Sequence, residues 1–309
     1  MVELNRRSFL QIGTTVGAAA LFTEPLFSLE KERLPLGLFI SLDDDPESQV
    51  AKVHELGLPT CSVYLDDFER ESATRLKSAL DRYGIEATAL TTLGPGEMVW
   101  DFLKGPSTIG LVPRNTRQAR IDALKTASDF AAKVGIPALQ THCGFIPENP
   151  DDPLYEETVK AIHEVAGHCK GNSQWFLCET GQETPITLLR TILDVGLDNV
   201  GVGLDTANLI LYGKGNPVDA MDVLEKYVRG AHAKDGLFPT DPRYLGQEVP
   251  ISQGKVDFTR FITRLLQSGY RGALTIEREI SGPQYIEDVK KAKLYLENVI
   301  DTVINKTDK

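Results

Sequence analysis

Residues 117–143 read Arg117-Gln-Ala-Arg-Ile-Asp-Ala-Leu-Lys-Thr-Ala-Ser-Asp-Phe-Ala-Ala-Lys-Val-Gly135-Ile-Pro-Ala-Leu-Gln-Thr-His-Cys143. A helical pattern fills 117–134, Gly135 stops it, and 138–143 is a short apolar run of strand type. Working outward, the same order of helix, glycine and strand returns at Leu56-Gly57, Tyr83-Gly84 and Ser268-Gly269. Strands are expected at 36–42, 61–65, 87–92, 138–143, 175–179, 201–205, 230–234 and 273–277. Helices fall near 47–56, 69–83, 117–134, 154–169, 185–195, 217–227, 258–268 and 286–304. Strands separated by helices read as βα units on a parallel sheet. Eight of them in about 275 residues predict an α/β protein with a single (β/α)8 barrel. An open doubly wound sheet is the competing architecture. It would carry a glycine-rich phosphate turn after the first strand, where this chain has Ser41-Leu-Asp-Asp-Asp45 and no G-x-G-x-x-G.

The chain has 309 residues, 41% of them hydrophobic, with a net charge of -11. That balance excludes disordered, collagen-like and multi-spanning membrane classes and gives no basic footprint for nucleic acid. Small-molecule chemistry is the better expectation. Near the N-terminus, Asn5-Arg6-Arg7-Ser8-Phe9-Leu10-Gln11 precedes an apolar run from Ile12 to Phe22, which is too short for a comfortable membrane-spanning helix. The paired arginines, Phe-Leu and the Ala18-Ala19-Ala20 stretch resemble a twin-arginine (Tat) export signal. Residues 1–34 are therefore expected to be a signal peptide and short linker, residues 35–309 the barrel, and the location periplasmic or otherwise extracytoplasmic. No stable membrane insertion is expected after processing. Four cysteines, Cys61, Cys143, Cys169 and Cys178, show neither a CxxC nor a short zinc spacing.

In such a barrel the chemistry belongs at the C-terminal strand ends. The last polar residues of strands five to eight are Glu179, Asp205, His232 and Glu277. Alternation along a strand carries the point further: with Asp205 inward, Gly203 and Gly201 are inward too, while Val202 and Leu204 face the helices. Spacings of 26, 27 and 45 residues each correspond to one βα unit, the last lengthened by a loop. All four side chains are thus expected to converge. Three carboxylates and an imidazole form a mainly oxygen site for one divalent ion, with Mn2+ first and Mg2+, Co2+ or Zn2+ as alternatives. Without a cation, three buried carboxylates would be costly. Two long loops rich in Gly and Pro, 94–115 and 236–254, are expected to cover this face.

The segments Glu179-Thr-Gly-Gln-Glu183, Leu204-Asp205-Thr-Ala-Asn208-Leu, His232-Ala-Lys-Asp235-Gly and Leu274-Thr-Ile-Glu277 resemble the xylose isomerase-like TIM-barrel superfamily. The resemblance spans essentially the whole chain after the leader. It is strongest to the sugar phosphate isomerase/epimerase group with its ketose 3-epimerases and 3-keto-glycoside epimerases. The resemblance implies that Glu179, Asp205, His232 and Glu277 bind one metal and that Glu179 and Glu277 double as the proton-transfer pair. Ketose 3-epimerases commonly carry a substrate-binding His three positions after the Asp; Asn208 stands here, which weighs against that subgroup.

The expected reaction is removal of an α-proton through a metal-stabilised ene-diolate. Its return to the other face gives epimerisation, and its return to the former carbonyl carbon gives isomerisation. The substrate class is a keto-sugar or keto-glycoside. Expected substrate contacts are His142, Glu183, Asn208 and Lys234, with Gln182 beside them; Arg243 and Arg278 are weaker candidates for a phosphate. Export favours an unphosphorylated sugar. Alternatives are an inosose-type dehydratase and a sugar-binding barrel without catalysis. An endonuclease IV-like activity needs several histidines and a positive groove, against five histidines and a charge of -11. A homo-oligomer is allowed.

Overall fold

The computed structural model describes residues 33–42, 45–66, 68 and 73–306. The twin-arginine segment and its cleavage region lie outside the described residues. Eight parallel strands, β1 (Leu36–Ser41), β2 (Thr60–Tyr64), β3 (Glu86–Thr91), β4 (Ala138–His142), β5 (Trp175–Glu179), β6 (Val200–Asp205), β7 (Val228–Ala233) and β8 (Leu274–Ile276), close into a barrel. β8 pairs with β1 to complete the ring. Each strand is followed by a helix: α1 (Pro46–Glu55), α2 (Ala73–Tyr83), α3 (Arg114–Val134), α4 (Pro153–Gly171), α5 (Pro185–Val195), α6 (Pro217–Leu224), α7 (Phe258–Gln267) and α8 (Pro283–Lys306). Among the described residues no helix is long and apolar enough to cross a membrane.

Local chemistry fixes these boundaries. Asp45, Asp152, Thr184, Asn216 and Asp257 each cap a helix by accepting a backbone N–H of its first turn. Proline sits in the first turn of α1, α4, α5 and α6, where a missing N–H costs nothing. At its other end α3 stops because Gly135 adopts φ 94°. Several expected boundaries move, two of them at the start of β7. The helix expected to run to residue 227 ends at Leu224, and a 3-10 turn over Glu225–Tyr227 starts β7 at Val228. A register shift between Val202 and Gly203 then lets Val228 and Ala231, of opposite parity, both pack toward the helices.

The core divides into two compartments. Outward-facing Val202, Leu204, Ala231, Ala233, Leu274 and Ile276 join the helices in one large apolar cluster. Inside the barrel, Ala89, Ala138 and Leu177 form a second, small cluster. Glycine lines that interior for a reason: a Cβ on Gly203 would stand 2.1 Å from Gln140 Oε1. Absence of a side chain there lets Gln140 lie across the barrel beneath its upper end.

Candidate metal centre

Register brings the four strand-end groups to one height. Glu179 pairs with Gly203, Asp205 with His232, and His232 with Thr275, so the inward positions of β5 to β8 rise together. Glu277 follows two residues above Thr275. Ligand atoms of Glu179, Asp205, His232 and Glu277 all lie within 4.8 Å of one another, and all four residues are buried.

Asp205, Glu277 and His232 are each oriented by one atom and turn another toward the centre, whereas Glu179 is held on both oxygens. Asp205 Oδ1 accepts the backbone N–H of Ala207 at 2.8 Å and of Asn208 at 2.6 Å, where a short helix, Asn208–Leu211, begins. Asp205 Oδ2 has no hydrogen-bond partner. Glu277 Oε1 accepts from Lys234 Nζ at 2.9 Å, while its Oε2 is unpartnered. His232 Nε2 stands 3.5 Å from Gln140 Nε2, and its Nδ1 is unpartnered. That Nδ1 is 2.5 Å from Glu277 Oε2, 3.7 Å from Glu179 Oε1 and 4.0 Å from Asp205 Oδ2, without hydrogen-bond alignment to any of them. Glu179 is held by Gln140 Nε2 at 3.0 Å on one oxygen and by Asn208 Nδ2 at 3.3 Å on the other.

Asp205 Oδ2 has no partner and Glu277 Oε2 meets only His232 Nδ1, so three buried carboxylates around one point are costly unless positive charge lies among them. The donor set, three carboxylates and one imidazole, suits a hard or borderline divalent cation. The residues therefore fit one such ion. Gln140, Lys234 and the backbone N–H groups of Ala207 and Asn208 serve as the outer partners that fix ligand orientation.

The electrostatics follow from burial and this charge cluster. Burial pushes the Glu179 and Asp205 carboxyls up from their ordinary range. For Glu277 burial acts in the same direction, but the Lys234 and His232 charges outweigh it and hold the carboxyl down. Burial drives the His142 imidazole down to about 4, and the Lys234 charge adds to the effect.

The residues expected to touch substrate divide into three groups. His142 and Asn208 line a cavity of about 320 Å3 above the four ligands, with Phe39, Tyr64, Trp100 and Tyr212 as its aromatic walls. His142 accepts an edge-on contact from Trp100 at 5.2 Å and meets Gln182 Nε2 at 3.1 Å. Lys234, 2% exposed, uses its ammonium on Asn208 Oδ1 at 3.2 Å, Glu277 Oε1 and Glu279 Oε1 at 2.5 Å. With three donors so engaged it orients Glu277 and Asn208. Glu183 is buried, keeps Oε2 unpartnered and does not line the cavity. Arg278 is clamped between Glu248 at 2.8 Å and Asp288 at 2.9 Å, which removes it as a loose phosphate ligand. Sequence reading missed Gln140, although its inward parity with His142 marks it as a polar side chain inside the barrel. It also missed Glu279 and the aromatic walls, which come from loops and from strands of the other half.

The xylose isomerase-like TIM barrel model matches residues 50–298. A crystal structure of a xylose isomerase domain protein from Planctomyces limnophilus superposes with a TM-score of 0.83 at 35% identity, over 88% of this chain and 99% of that one. A solved L-ribulose 3-epimerase superposes with a TM-score of 0.68 at 16% identity, over 89% of this chain and 97% of that one. An uncharacterized protein of Methanocaldococcus jannaschii is 25% identical over 204 residues, 62% of this chain, and the match spans 65% of that relative's length. With 249 of its residues under the family model and a close structural relative over nearly all of its described length, the chain belongs to the xylose isomerase-like TIM barrel family.

Proposed function

We propose that this protein is a divalent-metal-dependent sugar epimerase or isomerase that moves the proton beside the carbonyl of a keto-sugar or keto-glycoside. The observation that carries the reading is the convergence of buried Glu179, Asp205, His232 and Glu277, with ligand atoms within 4.8 Å of one another, beneath a cavity of about 320 Å3. The likeness to a solved L-ribulose 3-epimerase supports the reaction class. Mn2+ is our first choice because the donor set is rich in carboxylate with a single imidazole.

When bound, the ion polarises a substrate carbonyl and so acidifies the neighbouring C–H. The remaining work falls to side chains. Glu179 on β5 and Glu277 on β8 stand three strands apart on the ring, so a planar intermediate between them presents one face to each. One carboxylate takes the proton and the other returns it, with inversion if both act on the same carbon. Lys234 holds Glu277, Gln140 holds Glu179, and Asn208 contacts both Glu179 and Lys234. His142 and the aromatic walls hold the sugar and limit water.

The test is proton NMR in D2O with Mn2+, across free ketoses and 3-keto-glycosides. A substrate should exchange its α-proton with solvent, and Glu277→Gln should reduce that exchange by roughly 100-fold or more. Undiminished exchange in the variant removes Glu277 from the mechanism. Formation of an unsaturated ketone in place of exchange would assign a dehydratase.

A further inference from the structure

Glu279 stands two residues beyond Glu277, past the end of β8. Along an extended segment side chains alternate, and the contacts follow that pattern. Glu277 and Glu279 both meet Lys234 Nζ, at 2.9 and 2.5 Å, while Arg278 between them turns away to Glu248 and Asp288. The two carboxylates therefore share one side of the chain, yet their settings differ: Glu277 is buried among the four strand-end residues, and the Glu279 side chain is 58% exposed. One oxygen of Glu279 is fixed by Lys234, and among the described residues Oε2 meets no donor.

Charge at the cavity wall is one-sided. Glu179, Glu277 and Glu279 all line the cavity of about 320 Å3, and no lysine or arginine is among the described residues of its wall. Lys234 does not line it and has its donors engaged by Asn208, Glu277 and Glu279. A second cavity, of about 460 Å3, shares Phe39, Tyr64, Glu277 and Glu279 with the first and includes Lys52 and Arg278 among its walls. Glu279 thus belongs to the boundary between the two. A divalent ion among the four strand-end residues, together with Lys234, would offset the charge of Glu179, Asp205 and Glu277. Glu279 is the carboxylate whose charge is left at the wall.

A carboxylate in this place sorts ligands by what they can donate. A sugar hydroxyl donates to Oε2, whereas a phosphate or carboxylate group brings lone pairs and negative charge against it. We propose that Glu279 is a specificity-determining residue of this cavity: it accepts a hydrogen bond from a hydroxyl of an uncharged sugar and excludes phosphorylated and acidic sugars. The choice of a sugar rests on the reading given above, and the charge barrier does not.

Trp100 lies in the wall of the same cavity, so its fluorescence reports entry. The full chain with Mg2+ is titrated with sulfate at an ionic strength held constant with NaCl. The parent should show no saturation up to about 100 mM, and Glu279→Gln, which keeps the size and the acceptor but removes the charge, should bind sulfate at least roughly tenfold more tightly. Trp100→Phe assigns the signal, and thermal melting confirms that the variants fold. Sulfate that binds the parent as tightly as Glu279→Gln, or binds neither, overturns the proposal. The second arm is α-proton exchange in D2O with D-fructose and D-fructose 6-phosphate. Glu279→Gln should raise kcat/KM for the phosphate relative to the free ketose by roughly tenfold, and Glu279→Ala, which also removes the acceptor, should raise KM for the free ketose roughly fivefold above that of Glu279→Gln. An unchanged ratio overturns the charge barrier, and equal KM in the two variants overturns the hydroxyl contact. If no ketose or 3-keto-glycoside exchanges while sulfate still separates parent from variant, the reaction fails and the barrier stands. Exchange of a free ketose with sulfate binding indifferent to Glu279 does the reverse.

Discussion

Glu183 shows what a single buried carboxyl costs. Burial pushes it up to about 8 from an ordinary 4.5. In the unfolded chain it loses its proton near the ordinary value, whereas in the folded chain it keeps it. Stability is therefore highest below pH 4.5 from this group and falls as pH rises toward about 8. Glu183→Gln removes the dependence. Relative to the parent, the variant should gain roughly 1–3 kcal/mol at pH 9 and little at pH 4.5, read from urea midpoints at the two pH values. A gain that is equal at both pH values would show that the carboxyl does not titrate with folding. At this scale the sequence carried much of the site: Glu179, Asp205, His232 and Glu277 are strand-end residues of equal parity, so alternation alone brings them together. It did not carry Tyr212 or Glu279. Their neighbours come from distant loops, and no periodicity links those segments. Lys234 was legible in direction and not in partners, because its inward parity is a strand property while Glu279 lies beyond the end of β8.

Elements and the loops between them set the shape of the cavity, and two buried side chains organise those loops. Asp235, just after β7, accepts the backbone N–H groups of Gly236, Ser252, Gly254 and Val256 and so folds the 236–254 loop back on its own start. Gly254 is fixed by the same contact, since a Cβ there would stand 2.0 Å from Asp235 Oδ1. On the other side Arg120 reaches from α3 to the carbonyls of Pro95, Glu97 and Gly110, with its side chain wholly buried. Its guanidinium is the anchor of the 94–115 loop that carries Trp100 and Phe102. Arg120→Met keeps the apolar stem and leaves three carbonyls without their donor. A loss of about 2–4 kcal/mol in stability is expected, together with faster proteolysis between residues 94 and 115 and a raised KM. Unchanged cleavage would mean that other contacts hold this loop. Strands β2, β3, β4 and β8 were visible beforehand because a helix closed by glycine before an apolar run is a local signal. The short pairing of Asp235–Gly236 with Glu248–Val249 was not, since both pieces are two residues long and mostly polar. The clamp of Arg120 on three carbonyls is equally invisible, because carbonyl positions depend on the folded loop.

At the scale of the whole molecule, the four residues that could hold a metal stand at the C-terminal ends of β5, β6, β7 and β8 across nearly a hundred residues, so the unfolded chain has no preformed site. A divalent ion that binds only the folded barrel must stabilise it, by RT ln(1 + [L]/Kd), or about 2.7 kcal/mol at a hundredfold excess over Kd. In a barrel of this size that corresponds to a rise of roughly 5–10 °C in Tm. The sign follows from the charges: three carboxylates share this buried centre, where Lys234 and His232 supply the opposing charge, and a divalent cation adds more. Mn2+ should therefore raise Tm in a concentration-dependent way, EDTA should reverse the rise, and Asp205→Asn should flatten the response because Oδ2 loses its charge while the rest of the barrel is unchanged. An acidic chain of net charge -11 also gathers cations weakly over its surface. Raising NaCl to 0.5 M separates the two effects, because surface attraction is screened there and a buried site is not. A Tm response that vanishes in salt, or one that survives intact in Asp205→Asn, would place the ion outside the four strand ends.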